Sequence, residues 1–202
     1  PTVAQEYTTV PMLTVVGGGG QSAAATTAFG ALLDVQVTDG QSHPVDTWPV
    51  TFTAPSSGAT AALSPAAGPT NPSGHLFVAA TAGMTAGTYT VTATAAGLTP
   101  TVTFTLTNTH GPAATISVTG SNQSATVNTA FTTALTARVT DAFGNAVDGV
   151  TVTFGAPPST GASAVLTPAA PTTDMNGQVM VSATANQRAG VYGVTAAVAG
   201  VP

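Results

Sequence analysis

Apolar and polar residues alternate along most of this chain. Over 135–140, every second position is Leu, Ala or Val, and the positions between hold Thr or Arg. The same period of two recurs over 150–154, 179–183 and 192–198, and turn-forming residues such as those at 141–145 separate the runs. A period of two predicts strands with one buried face. No stretch has the apolar spacing of a helix, so the pattern predicts an antiparallel β-sandwich.

The chain also contains one sequence unit twice. QSAAATTAFGALLDVQVTD, which begins at Gln21, aligns without a gap with QSATVNTAFTTALTARVTD, which begins at Gln123. After one inserted residue, GTYTVTATAAG from Gly87 aligns with GVYGVTAAVAG from Gly190. Each unit has about 100 residues, the size of an immunoglobulin-like domain. We therefore predict an all-β chain of two tandem immunoglobulin-like antiparallel β-sandwich domains. The predicted segments are a strand that completes a neighbouring domain at 1–9, the first domain at 10–107, a linker at 108–112 and the second domain at 113–202.

One tyrosine stands at the start of the penultimate strand of each unit. These residues are Tyr89 and Tyr192. In a tyrosine corner, such a hydroxyl turns back onto upstream backbone. The alternative is a tyrosine that only packs at the edge of a sheet.

Several motifs of the second unit occur together in a known family. They are VTDAFGNAVDGVTVTF from Val139 and NGQVMVSATAN from Asn176. With these motifs the unit resembles the bacterial Ig-like repeats (group 1) of invasin- and intimin-type surface adhesins. The first unit departs in its turns, with Ser-His at 42–43 where the second has Gly-Asn at 144–145. The resemblance implies a rod-like extracellular array on a bacterial cell surface, in which most domains are spacers and some carry a binding tip. No part of this chain matches a tip.

The last strand of the first unit has a second counterpart at the start of the chain. PTVTFTLTN at 100–108 aligns with PTVAQEYTT at 1–9, whereas the second unit stops at 200–202, before this strand. We expect a strand from outside the second unit to complete it. The predicted donated-strand residues are Val3, Gln5 and Tyr7. The predicted acceptor groove consists of Tyr192, Val194, Ala196 and Val198.

The closing strand matters for stability, because each buried apolar side chain contributes roughly 1.5–3 kcal/mol. Three explanations of the arrangement stay open. The strand is donated by the next chain in a head-to-tail filament; the sequence is one period of a longer covalent array; or the sequence is truncated. Gln5, which aligns with the apolar Phe104, argues against simple donation because a buried amide needs a partner.

Charge is scarce, with two basic and seven acidic residues and no cysteine. Two arginines cannot form a cationic phosphate-binding surface, so we expect no nucleic-acid partner and no polybasic membrane contact. No apolar run approaches the roughly 20 residues of a membrane helix, and no membrane insertion is expected. The histidines, His43, His75 and His110, are predicted to lie in turns or in the linker. Histidines in such places are not expected to act in catalysis or to bind a metal, and we expect no cofactor.

Two further features have both a chemical and a structural interpretation. Aspartates flank the same hairpin in each unit, at Asp39 and Asp46 and at Asp141 and Asp148. They are candidates for Ca²⁺ binding or acid–base chemistry, but turn formation is the preferred interpretation. Trp48, the only tryptophan, is a possible ligand contact, although packing at a domain rim is preferred.

We therefore expect a structural repeat unit of an extracellular filament or stalk on a bacterial cell surface, whose partner is the neighbouring unit. The alternative is a ligand-binding or spacer module of an adhesin, which contacts a host surface receptor or a glycan. A third class is an accessory domain of a secreted hydrolase. Enzymatic activity in the chain itself is not expected, because few side chains can transfer a proton.

Overall fold

A computed structural model describes residues 10–202. The chain divides into two compact units, with the division between Thr109 and His110. All regular structure in the described range is β-strand, which confirms the all-β prediction. The strands of the first unit are β1 (Met12–Gly17), β2 (Gln21–Ala24), β3 (Leu33–Thr38), β4 (Pro49–Thr53), β5 (Ala61–Ser64), β6 (Ala67–Pro69), β7 (His75–Ala82), β8 (Gly87–Ala95) and β9 (Val102–Thr109). Those of the second are β10 (Thr115–Thr119), β11 (Leu135–Thr140), β12 (Val152–Gly155), β13 (Ala164–Thr167), β14 (Gln178–Ala185) and β15 (Thr195–Val198).

The first unit has two sheets, with strand orders β1-β3-β7-β5 and β2-β9-β8-β4-β6. All pairs are antiparallel except β2 with β9, which run parallel. The predicted alternation is visible along β3, where Leu33, Val35 and Val37 are fully buried and the residues between them are partly exposed. Side chains from both sheets form one core. The period of two therefore reflects burial of one face of each strand.

The second unit repeats the first sheet but not the second. Its first sheet, β10-β11-β14-β13, has the same order as β1-β3-β7-β5. Its second sheet contains only β12 and β15. A core still forms between the two sheets, around Val139, Val152 and Val181, all of which are fully buried.

The two units also share side-chain hydrogen bonds at matching positions of the repeat. The side chain of Gln21 donates to Gly18 O (2.6 Å) and Ala31 O (2.9 Å), and its Oε1 accepts from Ala31 N. Gln123 makes the same three hydrogen bonds in the second unit, to Gly120 and Thr133. Each glutamine thus fixes the start of the segment that follows it.

A glycine is required at the same turn of both units. Gly177 has φ +71°, and a Cβ at this position would lie 2.4 Å from Val139 O. Gly74 has φ +76°, and its Cβ would lie 2.5 Å from Val37 O. Left-handed backbone and a close carbonyl both favour glycine here.

Candidate functional site: an open groove in the second unit

The second unit is open along one side of its smaller sheet. In the first unit, β8 is nine residues long and pairs with β9 from Gly87 to Ala93. The corresponding β15 is four residues long and pairs only with β12. Residues 190–194, which correspond to the first half of β8, form no strand. This loss of strand structure in the second unit lies at the position that corresponds to the pairing of β8 with β9 in the first unit.

In the first unit, β9 fills this space completely. Phe104 and Leu106 are 1% and 0% exposed, and the Phe104 ring stacks on Phe52 at a centroid distance of 5.7 Å. The backbone of β9 pairs antiparallel with β8 and parallel with β2. One strand therefore satisfies two neighbouring edges and contributes core side chains.

In the second unit the same space is a groove made of two clefts that share Ser121, Leu135 and Val194, with volumes of about 740 Å³ and about 300 Å³. Tyr192 and Val194 line the larger cleft, and Val194 and Ala196 line the smaller one. Val198, the fourth residue of the predicted groove, is buried in the core instead. We call this space the acceptor groove. Its other apolar walls are Ile116, Val118, Phe131 and Phe154.

Residues that are buried in the first unit are partly exposed around the acceptor groove. Leu33 and Val91 are fully buried, whereas their counterparts Leu135 and Val194 are only partly buried. Uncovered apolar surface of this kind favours binding of another apolar segment.

The second edge of the groove is the segment 123–126, the counterpart of β2. β2 pairs with β9 through Gln21–Ala24, but 123–126 is not a strand. Its first residue, Gln123, is nevertheless held by the same three hydrogen bonds as Gln21. One end of this edge is thus fixed by the same contacts as in the first unit.

The two tyrosines differ in their hydrogen bonds. Tyr89 Oη donates to Asn108 Oδ1 (3.0 Å), and Asn108 Nδ2 donates to Thr60 O (2.9 Å) and Thr85 O (3.1 Å). The tyrosine-corner prediction is a direct hydrogen bond from the hydroxyl to upstream backbone. Tyr89 instead reaches that backbone through the side chain of Asn108, a residue of β9. The Tyr192 hydroxyl is buried and has no hydrogen-bond partner among the described residues. Burial raises the pKa of both tyrosines.

The predicted donated-strand residues, Val3, Gln5 and Tyr7, lie outside the described residues.

Each histidine forms a hydrogen bond with one aspartate. His75 Nδ1 lies 2.8 Å from Asp34 Oδ1, and the His75 ring stacks on Phe77 at 5.4 Å. His43 pairs with Asp39 (3.1 Å). His110 pairs with Asp148 (3.0 Å). His75 begins β7, so the prediction that it lies in a turn is wrong. Its side chain extends from the strand and meets an aspartate of the neighbouring β3.

The aspartates shape turns. Asp141 accepts hydrogen bonds from the backbone N–H of Gly111, Phe143 and Asn145 and from Asn145 Nδ2, at 2.8–2.9 Å. Burial alone would raise the pKa of Asp141, but these hydrogen bonds hold the pKa below its ordinary value. The pKa of Asp39 is lowered chiefly by the backbone N–H of His43. Asp46 accepts from the adjacent Thr47 N (2.7 Å). These contacts are those of turn formation.

The part of the chain that the structure describes holds no group of three or more His, Cys, Asp or Glu side chains arranged to bind a metal. Within residues 10–202 there is also no helix with the length and hydrophobicity that a membrane crossing needs.

Trp48 is partly buried and packs against the first core. Its Nε1 donates to Ala96 O (3.1 Å), so the indole is held by the domain that carries it. This contact gives the tryptophan a packing role within the first unit, whereas its role as a ligand contact stays a prediction.

Sequence reasoning missed the walls of the groove that come from β10, β11 and the segment 123–126. It also missed the hydrogen bond between Tyr89 and Asn108. The repeat alignment contains a signal for this bond, because Asn108 is the single inward-facing polar residue of β9.

Comparison with known proteins agrees with this architecture. Residues 115–201 match the sequence profile of the bacterial Ig-like domain (group 1). The adhesin FdeC of Escherichia coli is 22% identical with a TM-score of 0.50, and the alignment covers 94% of this chain and 60% of the FdeC structure. The D0-D1 domains of intimin are 23% identical with a TM-score of 0.39, and 95% and 94% of the two chains are covered. Invasin, described as a bacterial integrin-binding protein, is 22% identical with a TM-score of 0.41, and 95% of this chain and 37% of invasin are covered. No curated protein sequence matches the chain. At this level of identity, the likeness to FdeC establishes the fold alone.

Proposed function

Residues 115–201 match the profile of a group 1 bacterial Ig-like domain, and from that premise we propose that the chain is a non-enzymatic structural unit of an extracellular bacterial fibre or stalk. Successive units join head to tail when the segment 1–9 of one copy enters the acceptor groove of the next. The observation that carries the proposal is the open groove at the place where β9 closes the first unit. The segment 1–9 aligns with β9 and its preceding residues.

The register of β9 in the first unit specifies the expected pairing. β8 places Ala93 opposite Val102, Val91 opposite Phe104 and Tyr89 opposite Leu106. The repeat alignment transfers these pairs to Ala196 with Val3, Val194 with Gln5, and Tyr192 with Tyr7. The parallel pairing of Gln21 with Leu106 likewise transfers to Gln123 with Tyr7. The donated strand would thus gain two neighbours.

The donated strand is expected to bind less tightly than β9 does in the first unit. Val3 and Tyr7 are apolar at inward positions, and each contributes roughly 1.5–3 kcal/mol when buried. Gln5, however, replaces the aromatic ring that stacks on Phe52 in the first unit, and a buried amide without a partner costs about 1–3 kcal/mol. We therefore expect assembly that depends on protein concentration.

Light scattering coupled to size-exclusion chromatography tests the proposal with the full chain. We expect the unmodified chain to form a ladder of oligomers whose mean mass rises with concentration. Charges at inward positions, in the double variant Val3→Asp/Tyr7→Asp, would have to enter the apolar groove, so this variant should remain monomeric. The matched control, Ala4→Asp/Thr8→Asp, adds the same charges at outward positions and should still assemble.

Two results would count against head-to-tail donation. One is a chain that is monomeric at every concentration, and the other is equal assembly by the two double variants. The covalent-array explanation makes a different prediction, because native material would then run as a very large chain after denaturation. Separate subunits would run near 19.5 kDa.

The second candidate function is a ligand-binding module of an adhesin that contacts a host receptor or a glycan. The feature that favours it is Phe77, 44% exposed and stacked on His75, which in turn bonds Asp34. An exposed ring beside polar side chains is an arrangement that binds ligands with one apolar face. Saturable binding on a glycan or receptor array that is lost in Phe77→Ala, but kept in Met180→Ala at the matching position of the second unit, would support this function.

A further inference from the structure

We infer that the acceptor groove ends in a polar socket that selects the incoming strand and sets its register. The socket consists of the Tyr192 hydroxyl and the backbone carbonyls of Ser163 and Arg188. The socket requires a hydrogen-bonding side chain at one position of the bound strand. In the segment 1–9 this position is held by Thr9, and an asparagine amide would fit the socket best. This inference rests on the proposed strand acceptance and adds a rule for which strands are accepted.

The first unit shows the socket in its occupied form. Asn108 is 1% exposed, and its side chain makes three hydrogen bonds, one from Tyr89 Oη and one each to Thr60 O and Thr85 O. These three partners come from three different loops and strands. A single amide at the end of β9 therefore joins the closing strand to the rest of the unit.

The second unit has the same three groups without that amide. The repeat alignment matches Thr60 with Ser163 and Thr85 with Arg188. The carbonyl of Ser163 accepts from Asn186 N at 2.9 Å, as Thr60 O accepts from Gly83 N at 2.8 Å. The Tyr192 hydroxyl is buried and has no partner among residues 10–202. A buried hydroxyl without a partner is unfavourable, so a strand that supplies an acceptor removes this cost.

The loop that carries the socket is held by its own hydrogen bonds. Asn186 Nδ2 donates to Gly161 O (2.7 Å), and Asn186 Oδ1 accepts from Arg188 N (3.1 Å). Arg188, Gly190 and Tyr192 all line the larger cleft. Two positions of the socket, Arg188 and Tyr192, thus lie on the wall of the cleft, and hydrogen bonds within the unit hold the loop that leads to them.

The socket also sets the register. A shift by one residue turns the inward residues outward. A shift by two residues keeps the inward face but brings Tyr7 or Pro11 to the position of Thr9. Pro11 has no hydrogen-bonding side chain, and the Tyr7 ring is far larger than the amide of Asn108. A hydroxyl such as that of Thr9 can accept from Tyr192 and donate to one carbonyl, so it uses part of the socket.

The test measures binding of labelled peptides to the full chain. The acceptor is the Val3→Asp/Tyr7→Asp variant, whose own segment cannot compete. The peptides are PTVAQEYTTV and its Thr9→Asn and Thr9→Val forms, and fluorescence anisotropy gives their Kd values. One hydrogen bond contributes up to about tenfold in Kd. We expect Thr9→Asn to bind about tenfold more tightly than the parent peptide and Thr9→Val to bind several-fold more weakly.

A second acceptor isolates the socket. Tyr192→Phe removes only the hydroxyl, and we expect it to reduce the difference between the Thr9→Asn and Thr9→Val peptides. Peptides with Thr8→Asn or Thr8→Val carry the same changes on the outward face and should bind like the parent. Hydrogen exchange of residues outside the groove verifies that Tyr192→Phe keeps its fold.

The outcomes separate the two proposals. If the parent, Thr9→Asn and Thr9→Val peptides bind equally, the socket is wrong and strand acceptance stands. If no peptide binds, including PTVTFTLTNT from 100–109, the groove is not a strand acceptor and both proposals fail. If PTVTFTLTNT binds and PTVAQEYTTV does not, the groove accepts strands and the segment 1–9 is not its occupant.

Discussion

Phe104→Gln tests how strongly the first unit depends on its closing strand. The substitution places in β9 the residue that the segment 1–9 carries at the same register. Phe104 is 1% exposed and stacks on Phe52 at 5.7 Å, so the amide would enter a site that is apolar on the native strand. The effect measured in the first unit therefore indicates the cost of Gln5 in the second.

The magnitude follows from three contributions. Loss of the buried ring costs about 1.5–3 kcal/mol, loss of the aromatic pair about 0.5–1.5 kcal/mol, and burial of an unpaired amide about 1–3 kcal/mol. We thus expect the free energy of unfolding of the first unit to fall by about 3–7.5 kcal/mol. With an m-value of about 1–3 kcal/mol per molar, the urea midpoint falls by at least about 1 M.

Trp48 provides an assay specific to this unit. It is the only tryptophan of the chain and packs against the first core, so its fluorescence reports the unfolding of the first unit in the full chain. Thr105→Gln is the control, because Thr105 lies next to Phe104 on the exposed face of β9 and its replacement should change stability by less than about 0.5 kcal/mol. A loss below about 1 kcal/mol in Phe104→Gln would refute the reasoning that the interior of β9 holds this unit closed.

Three further predictions concern the second unit. Asp141→Ala leaves three backbone N–H groups and one amide without their acceptor. Hydrogen exchange should therefore show that the free energy of unfolding of the second unit falls by about 2–4 kcal/mol, whereas the exposed Asp148→Ala should change it very little. Because the pKa of Asp141 is lowered in the folded state, the stability it contributes is present above the ordinary carboxyl pKa of about 4 and is lost as the pH falls below that value. The pKa of Asp174 is lowered as well, so Asp141→Asn is the reference that lacks only the contribution of Asp141, and an equal loss of stability between about pH 6 and about pH 3 in both proteins contradicts this prediction. Gly177→Ala forces a Cβ to 2.4 Å from Val139 O and should lower stability by more than about 1 kcal/mol, whereas Gly161→Ala, where nothing lies within 4 Å, should have little effect on exchange rates.

The fold could be predicted from the sequence because its signals are local. Alternation along β11 and β14 and the turns between strands specify which residues face the core, and the exact repeat at Gln21 and Gln123 predicts the same turn twice. The residues of the groove could be predicted only on the β15 side, because there the alternation of apolar and polar residues indicates which side chains face inward. Its opposite wall includes Leu135 of the facing sheet and Phe131 of the loop before β11, and no local pattern encodes which strands face each other.

The polar contacts were the least predictable part. The hydrogen bond between Tyr89 and Asn108 depends on a pairing of β8 with β9, and the bond between His75 and Asp34 joins residues 41 positions apart. His75 and His110 look isolated in the sequence, because their aspartates lie 41 and 38 positions away, whereas His43 and Asp39 share one turn. Contacts of this kind follow from strand register, which depends on the whole sheet.

The position of β9 between an antiparallel and a parallel neighbour has a mechanical consequence. A pull at Thr109, the last residue of β9, is a shear load when it is directed along the strand axis. It therefore shears both hydrogen-bond ladders at once, and no single pair can unzip first. Rupture under load is governed by the rate of unfolding rather than by equilibrium stability, so a strand held on two sides suits a protein that must resist tension.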